Sequence, residues 1–90
     1  MKIDDNARYI DINRYYQCII DGKEELCKIT RHVIMDVNTS ALVFCYRVDC
    51  YYYGKELYVG SLAECREWLL LRLTMAALHQ IRREKSHYGQ

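Results

Sequence analysis

Ninety residues make one domain, because a chain of this length buries only about 60 to 65% of the surface its unfolded form exposes and every element must serve one core. The composition, 51% hydrophobic and 28% charged, is that of a folded globular protein, and a formal net charge of +1 supplies no overall field to draw in nucleic acid or an anionic membrane. The longest apolar run, Trp68 to Leu71, falls far short of the roughly 20 residues that cross a bilayer and no apolar leader follows Met1, so the chain reads as soluble and cytoplasmic.

Residues 1 to 13 are polar and irregular and are expected to form a loose N-terminal arm, followed by a sheet over 14 to 60, a helix over 61 to 84 and a tail over 85 to 90. A first hairpin is expected at Asp21-Gly22-Lys23-Glu24, where a Gly22-Lys23 loop pairs Asp21 with Glu24, Ile20 with Glu25 and Cys18 with Cys27. In that register the two thiols stand directly opposite, with Cα atoms about 4.5 to 5.5 Å apart. Leu26, Ile29, Thr30, Val33 and Val37 also recur near helical spacing, with Asp21 placed to cap, so a helix over 23 to 36 is the alternative. Strand is preferred, since Ile29, Thr30, Val33, Ile34 and Val37 are β-branched and Asp-Gly signals a hairpin more strongly than a helix start.

A turn at Asn38-Thr39-Ser40 leads into a long strand from Ala41 to about Tyr53, which Gly54-Lys55 turns back through Glu56 to Gly60. A two-residue loop there pairs Tyr53 with Glu56, Tyr52 with Leu57, Tyr51 with Tyr58 and Cys50 with Val59. Alternation then puts Leu42, Phe44, Tyr46, Val48, Cys50, Tyr52, Leu57 and Val59 on one face, expected to be the core. Val43, Cys45, Arg47, Asp49, Tyr51, Tyr53, Glu56 and Tyr58 share the other. Tyrosines beside one arginine and two carboxylates suit a half-wet contact surface, so Arg47, Tyr51, Tyr53 and Tyr58 are the candidate partner-binding residues. Base stacking on these rings is the competing use, and Asp49 and Glu56 oppose it by repelling phosphates.

Ser61-Leu62-Ala63-Glu64 is a capping box that starts the helix. At about 100° per residue, Leu62, Cys65, Leu69, Leu73 and Ala76 form one apolar stripe, and Trp68, Leu71, Met75 and Leu78 form a second. One stripe covers a sheet. The second is surplus and is the expected oligomer interface, most simply of a homodimer. Arg72, His79 and Arg83 recur along another flank and are the candidate nucleic-acid contacts in an alternative reading, although basic residues near a helix C-terminus also complement its dipole.

Five cysteines, Cys18, Cys27, Cys45, Cys50 and Cys65, without a leader argue for reduced thiols, and their spacings hold no Cys-x-x-Cys or paired His, so neither a metal nor a cofactor is implied. No nucleophile sits on a sharp turn and the glycines form no phosphate loop, so the chain is expected not to be an enzyme. The fold expected is α+β, a four-stranded antiparallel β-meander followed by one long C-terminal helix packed on one face.

The run Glu56-Leu57-Tyr58-Val59-Gly60-Ser61-Leu62-Ala63-Glu64-Cys65-Arg66-Glu67-Trp68-Leu69, a last strand turning through a Gly-Ser corner into a capped helix, resembles the layout of small phage- and mobile-element-encoded inhibitors, including anti-CRISPR proteins. That resemblance implies a non-enzymatic protein that blocks a host defence complex, a nuclease or a surveillance complex, by occupying a surface. It carries over no functional residue, and the near-neutral charge departs from the acidic character of inhibitors that imitate DNA.

Overall fold

The computed structural model describes the chain from Asp5 to Tyr88; positions 1 to 4 of the expected arm and 89 to 90 of the tail lie outside the described residues. A 3-10 helix (Asp5–Tyr9) precedes strands β1 (Tyr16–Ile20), β2 (Lys23–Met35), β3 (Leu42–Cys50) and β4 (Glu56–Gly60), then helices α1 (Leu62–Leu70) and α2 (Met75–Tyr88). The strands form one antiparallel sheet in the order β1-β2-β3-β4. The α+β meander is therefore as expected and residues 23 to 35 are strand, but two helices stand where one long helix was expected.

The helix divides because its middle has a second job. Edge strand β1 would otherwise leave backbone groups unpaired, and residues 72 to 74 supply partners: Ile19 N donates to Arg72 O (2.7 Å) and Thr74 N to Gln17 O (2.9 Å), with Cys18 and Leu73 in an isolated antiparallel bridge. Helical geometry cannot serve an edge strand in this way. Thr74 then restarts the helix, its Oγ1 accepting from Ala77 N at 3.2 Å. At the front of α1 the expected capping box is present, Glu64 N donating to Ser61 Oγ and Ser61 N to Glu64 Oε1, both at 3.1 Å. The Ser61 backbone N–H donated to it holds the Glu64 carboxyl below its usual range.

One sheet face meets the helices. Tyr16, Cys18, Cys27, Ile29 and Val48 pack there against Cys65, Leu69, Leu70 and Ile81, with Ala7 and Ile10 closing the edge. The residues before β1 are thus docked: Ile10 is fully buried, Arg66 Nε donates to Ile10 O (3.0 Å), and Arg14 grips Glu84 of α2 through two hydrogen bonds of 2.9 and 2.7 Å.

Both hairpins turn elsewhere than expected, with different consequences. Asp21 (φ 51°) and Gly22 (φ 81°) are the left-handed central pair of the first turn, so Ile20 faces Lys23, and Cys18 faces Glu25 in place of Cys27. That displaces the register by two residues and preserves the faces, leaving Cys18 and Cys27 buried as diagonal neighbours. The second hairpin is displaced by three. Tyr53 (φ 66°) and Gly54 (φ 59°) are left-handed, Tyr51 to Lys55 form the loop, and Arg47 faces Val59 while Val48 faces Tyr58. An odd displacement exchanges faces: Tyr58 turns toward the helices and Val59 away from them. A bulge between Val48 and Asp49 brings Leu57 against the core as well.

Candidate protein-binding surface

Strand β2 is 13 residues long, roughly 44 Å at about 3.4 Å per residue, which matches the 44 Å longest dimension of the molecule. Its neighbours are shorter. Pairing with β1 ends at Tyr16–Cys27, and pairing of β3 with β4 ends at Tyr46–Gly60. Beyond those points β2 and β3 continue alone, through the pairs His32–Cys45, Val33–Phe44, Ile34–Val43 and Met35–Leu42, as a two-stranded ribbon.

The ribbon is apolar on both faces. Val33, Met35, Leu42 and Phe44 continue the helix-side face, and Ile34 and Val43 lie on the reverse. With Val37 at the tip, these seven side chains are 48 to 90% exposed. Leu42 and Phe44 were expected in the core; they are exposed because the helix layer stops short of them. The tip is ordered all the same: Asp36 N donates to Ala41 O (2.9 Å), Ser40 N to Asp36 O (2.7 Å) and Asn38 N to Asp36 Oδ1 (2.8 Å).

A polar chain crosses the open face at the ribbon's base. Asp49, 7% exposed, accepts from Thr30 Oγ1 at 2.8 Å and from Arg47 Nε at 3.0 Å through Oδ2. Its Oδ1 lies 2.8 Å from the same Nε but accepts no aligned hydrogen bond. Thr30's one hydroxyl proton goes to Asp49, so the 3.0 Å contact between His32 Nε2 and Thr30 Oγ1 must be donated by Nε2–H. Cys45 stands opposite His32 in the ladder, and no hydrogen bond joins the two among the described residues.

The expected contact surface is not assembled. Arg47 is held by Asp49 and serves the sheet. Tyr51 and Tyr53 are exposed in the loop, Tyr51 edge-on to Tyr15 at 5.2 Å between centroids. Tyr58 lies on the other side, stacked on Trp68 at 5.7 Å, its hydroxyl donating to Glu64 Oε2 at 3.4 Å. The expected oligomer stripe divides with the helix: Trp68 and Leu78 pack against the core, whereas Leu71 and Met75 are 69% and 66% exposed. Ala76, expected on the core stripe, is also exposed. The basic flank divides too. Arg72 lies between the helices with its guanidinium 3.8 Å over Trp68 and an Nη1 donation to Trp68 O at 3.0 Å, while His79 and Arg83 remain exposed one turn apart on α2.

The thiols are reduced and, Cys45 apart, buried. Cys18 is pushed far up, first by its hydrogen bond with Cys27 and then by burial; the same bond lowers Cys27. Burial raises Cys50, and lifts Cys65 to about 11. Among the described residues no group of three His, Cys, Asp or Glu side chains could hold a metal ion, and no helix is long and apolar enough to cross a membrane.

The ribbon's apolar tip is the surface that sequence reasoning missed. The signal was in strand lengths, since five residues from 56 to 60 cannot cover a strand beginning at 41. Compared with protein families, with curated proteins and with solved structures, the chain has no match.

Proposed function

We propose that this chain is a non-enzymatic protein-binding module whose contact element is the β2–β3 ribbon. The observation that carries the reading is the gathering of seven exposed large apolar side chains on one ordered projection. At about 200 Å² of full surface per large apolar residue they expose roughly 800 Å² over both faces and the tip, about 470 Å² of it on the helix-side face alone, which is the size of the largest apolar patch on an ordinary monomer, often a functional one. An exposed, unpaired ribbon of that kind is an aggregation hazard unless a partner covers it.

Two features weigh against the nucleic-acid alternative. Arg72 is committed to Trp68, leaving His79 and Arg83 without the third member of the flank, and the ribbon beyond Arg31 carries no basic residue up to Arg47 except His32. The narrower role, a phage or mobile-element inhibitor that blocks a host defence complex, is proposed on the resemblance of the corner sequence alone.

The test is affinity capture from cells that carry the gene, using wild type beside a Met35→Lys/Phe44→Glu variant and a Tyr51→Ala/Tyr53→Ala variant. Association lost with the ribbon variant and kept by the tyrosine variant supports the reading. The opposite pattern returns the contact to the tyrosine loop and refutes it.

A further inference from the structure

We propose that two copies of this chain associate through their β2–β3 ribbons, helix-side face against helix-side face across a two-fold axis. The inference rests on the reading of the ribbon as a protein-contact element and names its partner.

Within one copy the helix-side stripe runs from Cys27–Cys50 and Ile29–Val48, under the helices, to Val33–Phe44 and Met35–Leu42, beyond the helices and exposed, with the Arg31 guanidinium 5.3 Å over the Phe44 ring. A sheet face with this pattern is stable when a second layer lies about 10 Å above it. The chain has already spent its helices elsewhere. A second ribbon, carrying the same four side chains, supplies a layer of matching length and character.

The four helix-side chains Val33, Met35, Leu42 and Phe44, 53 to 63% exposed, present roughly 470 Å² per copy at about 200 Å² of full surface per large apolar residue, so face-to-face contact buries about 900 Å² from them alone, the size of a weak, concentration-dependent dimer. From Val33 to Cys45 the only charged residue is Asp36, so the ribbon carries no pattern by which to select a partner of different chemistry. Interfaces between identical subunits are the more apolar class and need no such pattern. Finally, the tip bonds around Asp36 hold the ribbon in shape before association, which limits the ordering entropy that docking costs.

The experiment is size-exclusion chromatography with light scattering on the full chain over a range of concentrations, with circular dichroism as the check on folding. Wild type is expected to move from the chain mass toward twice that mass as its concentration rises. Met35→Lys and Phe44→Glu should each raise the dimer dissociation constant on the order of a hundredfold while leaving the melting curve of the monomer intact, because both side chains are exposed in the single copy. A wild-type chain that is monomeric at every concentration overturns self-association; the wider reading then still stands if capture of a different protein depends on the ribbon, and falls if it does not. A dimer that survives Met35→Lys/Phe44→Glu but dissolves with Leu71→Glu/Met75→Glu also overturns the proposal, by moving the interface to the corner between α1 and α2.

Discussion

Replacing Arg47 with methionine separates two roles for that residue, a contact anchor or a support for a buried carboxylate. Asp49 is 10% exposed at its side chain and Arg47 36%, so the pair is neither a surface ion pair nor fully enclosed. Exposed pairs contribute about 0 to 1 kcal/mol, and stripping one partner from a buried pair costs about 3 to 5 kcal/mol. Thr30 keeps one hydrogen bond to the stranded carboxylate, but Oδ1 would lose the guanidinium 2.8 Å away. The geometry therefore puts Arg47→Met at about 2 to 3 kcal/mol of lost stability. For a domain of this size each kcal/mol moves the melting temperature by about 4 to 8 °C, so the variant should melt roughly 10 to 20 °C below wild type at neutral pH.

The second half of the test is the double variant. Arg47→Met/Asp49→Asn removes the unpaired charge while an amide still accepts from Thr30, so it should recover more than half of the loss and make the pair strongly non-additive. Thermal unfolding followed by far-ultraviolet circular dichroism, with urea midpoints as a second measure, reads both numbers. Arg47→Met melting within a few degrees of wild type, or a double variant that is simply the sum of the singles, would show that Asp49 does not depend on Arg47.

Three further outcomes follow from the geometry. Tyr53 holds φ 66° beside Gly54, so Tyr53→Gly should stabilise the fold by about 1 kcal/mol, and a loss of stability in the urea midpoint would contradict the strain. Thr74→Ala removes the hydroxyl that accepts from Ala77 and should cost about 1 kcal/mol, with α2 showing faster amide exchange than α1. The Arg14 guanidinium holds the Glu84 carboxyl below its usual range near 4.5, so the stabilisation is complete above that value and fades as the pH falls through the folded-state value. Glu84→Gln should accordingly cost about 1 kcal/mol at pH 7 and progressively less as the pH is lowered through the folded-state value, and a cost that does not change with pH would refute the ion pair.

How far the sequence could be read depended on whether the deciding interaction was local. Asp21-Gly22, the Gly54 turn and the Ser61–Glu64 box are local signals, and each marks a real boundary. What failed was register by a few residues, and parity decided the damage: a displacement of two left Cys18 and Cys27 in the core, whereas a displacement of three carried Tyr58 from the expected contact face to Trp68. The divided helix was out of reach for a different reason. Nothing in the run 70 to 75 opposes helix, and only the backbone needs of β1, more than 50 residues earlier in the chain, draw residues 72 to 74 out of it. The exposed ribbon stands between these cases. Alternation placed Leu42, Phe44 and Val48 correctly on one face, but a face becomes a core only where something covers it, and coverage is a matter of matched lengths. A β2–β3 pair whose outer neighbours, β1 and β4, have five residues each must overhang them at one end. The overhang here is apolar on both faces, and that unfinished layer is the observation on which the proposed ribbon contact rests.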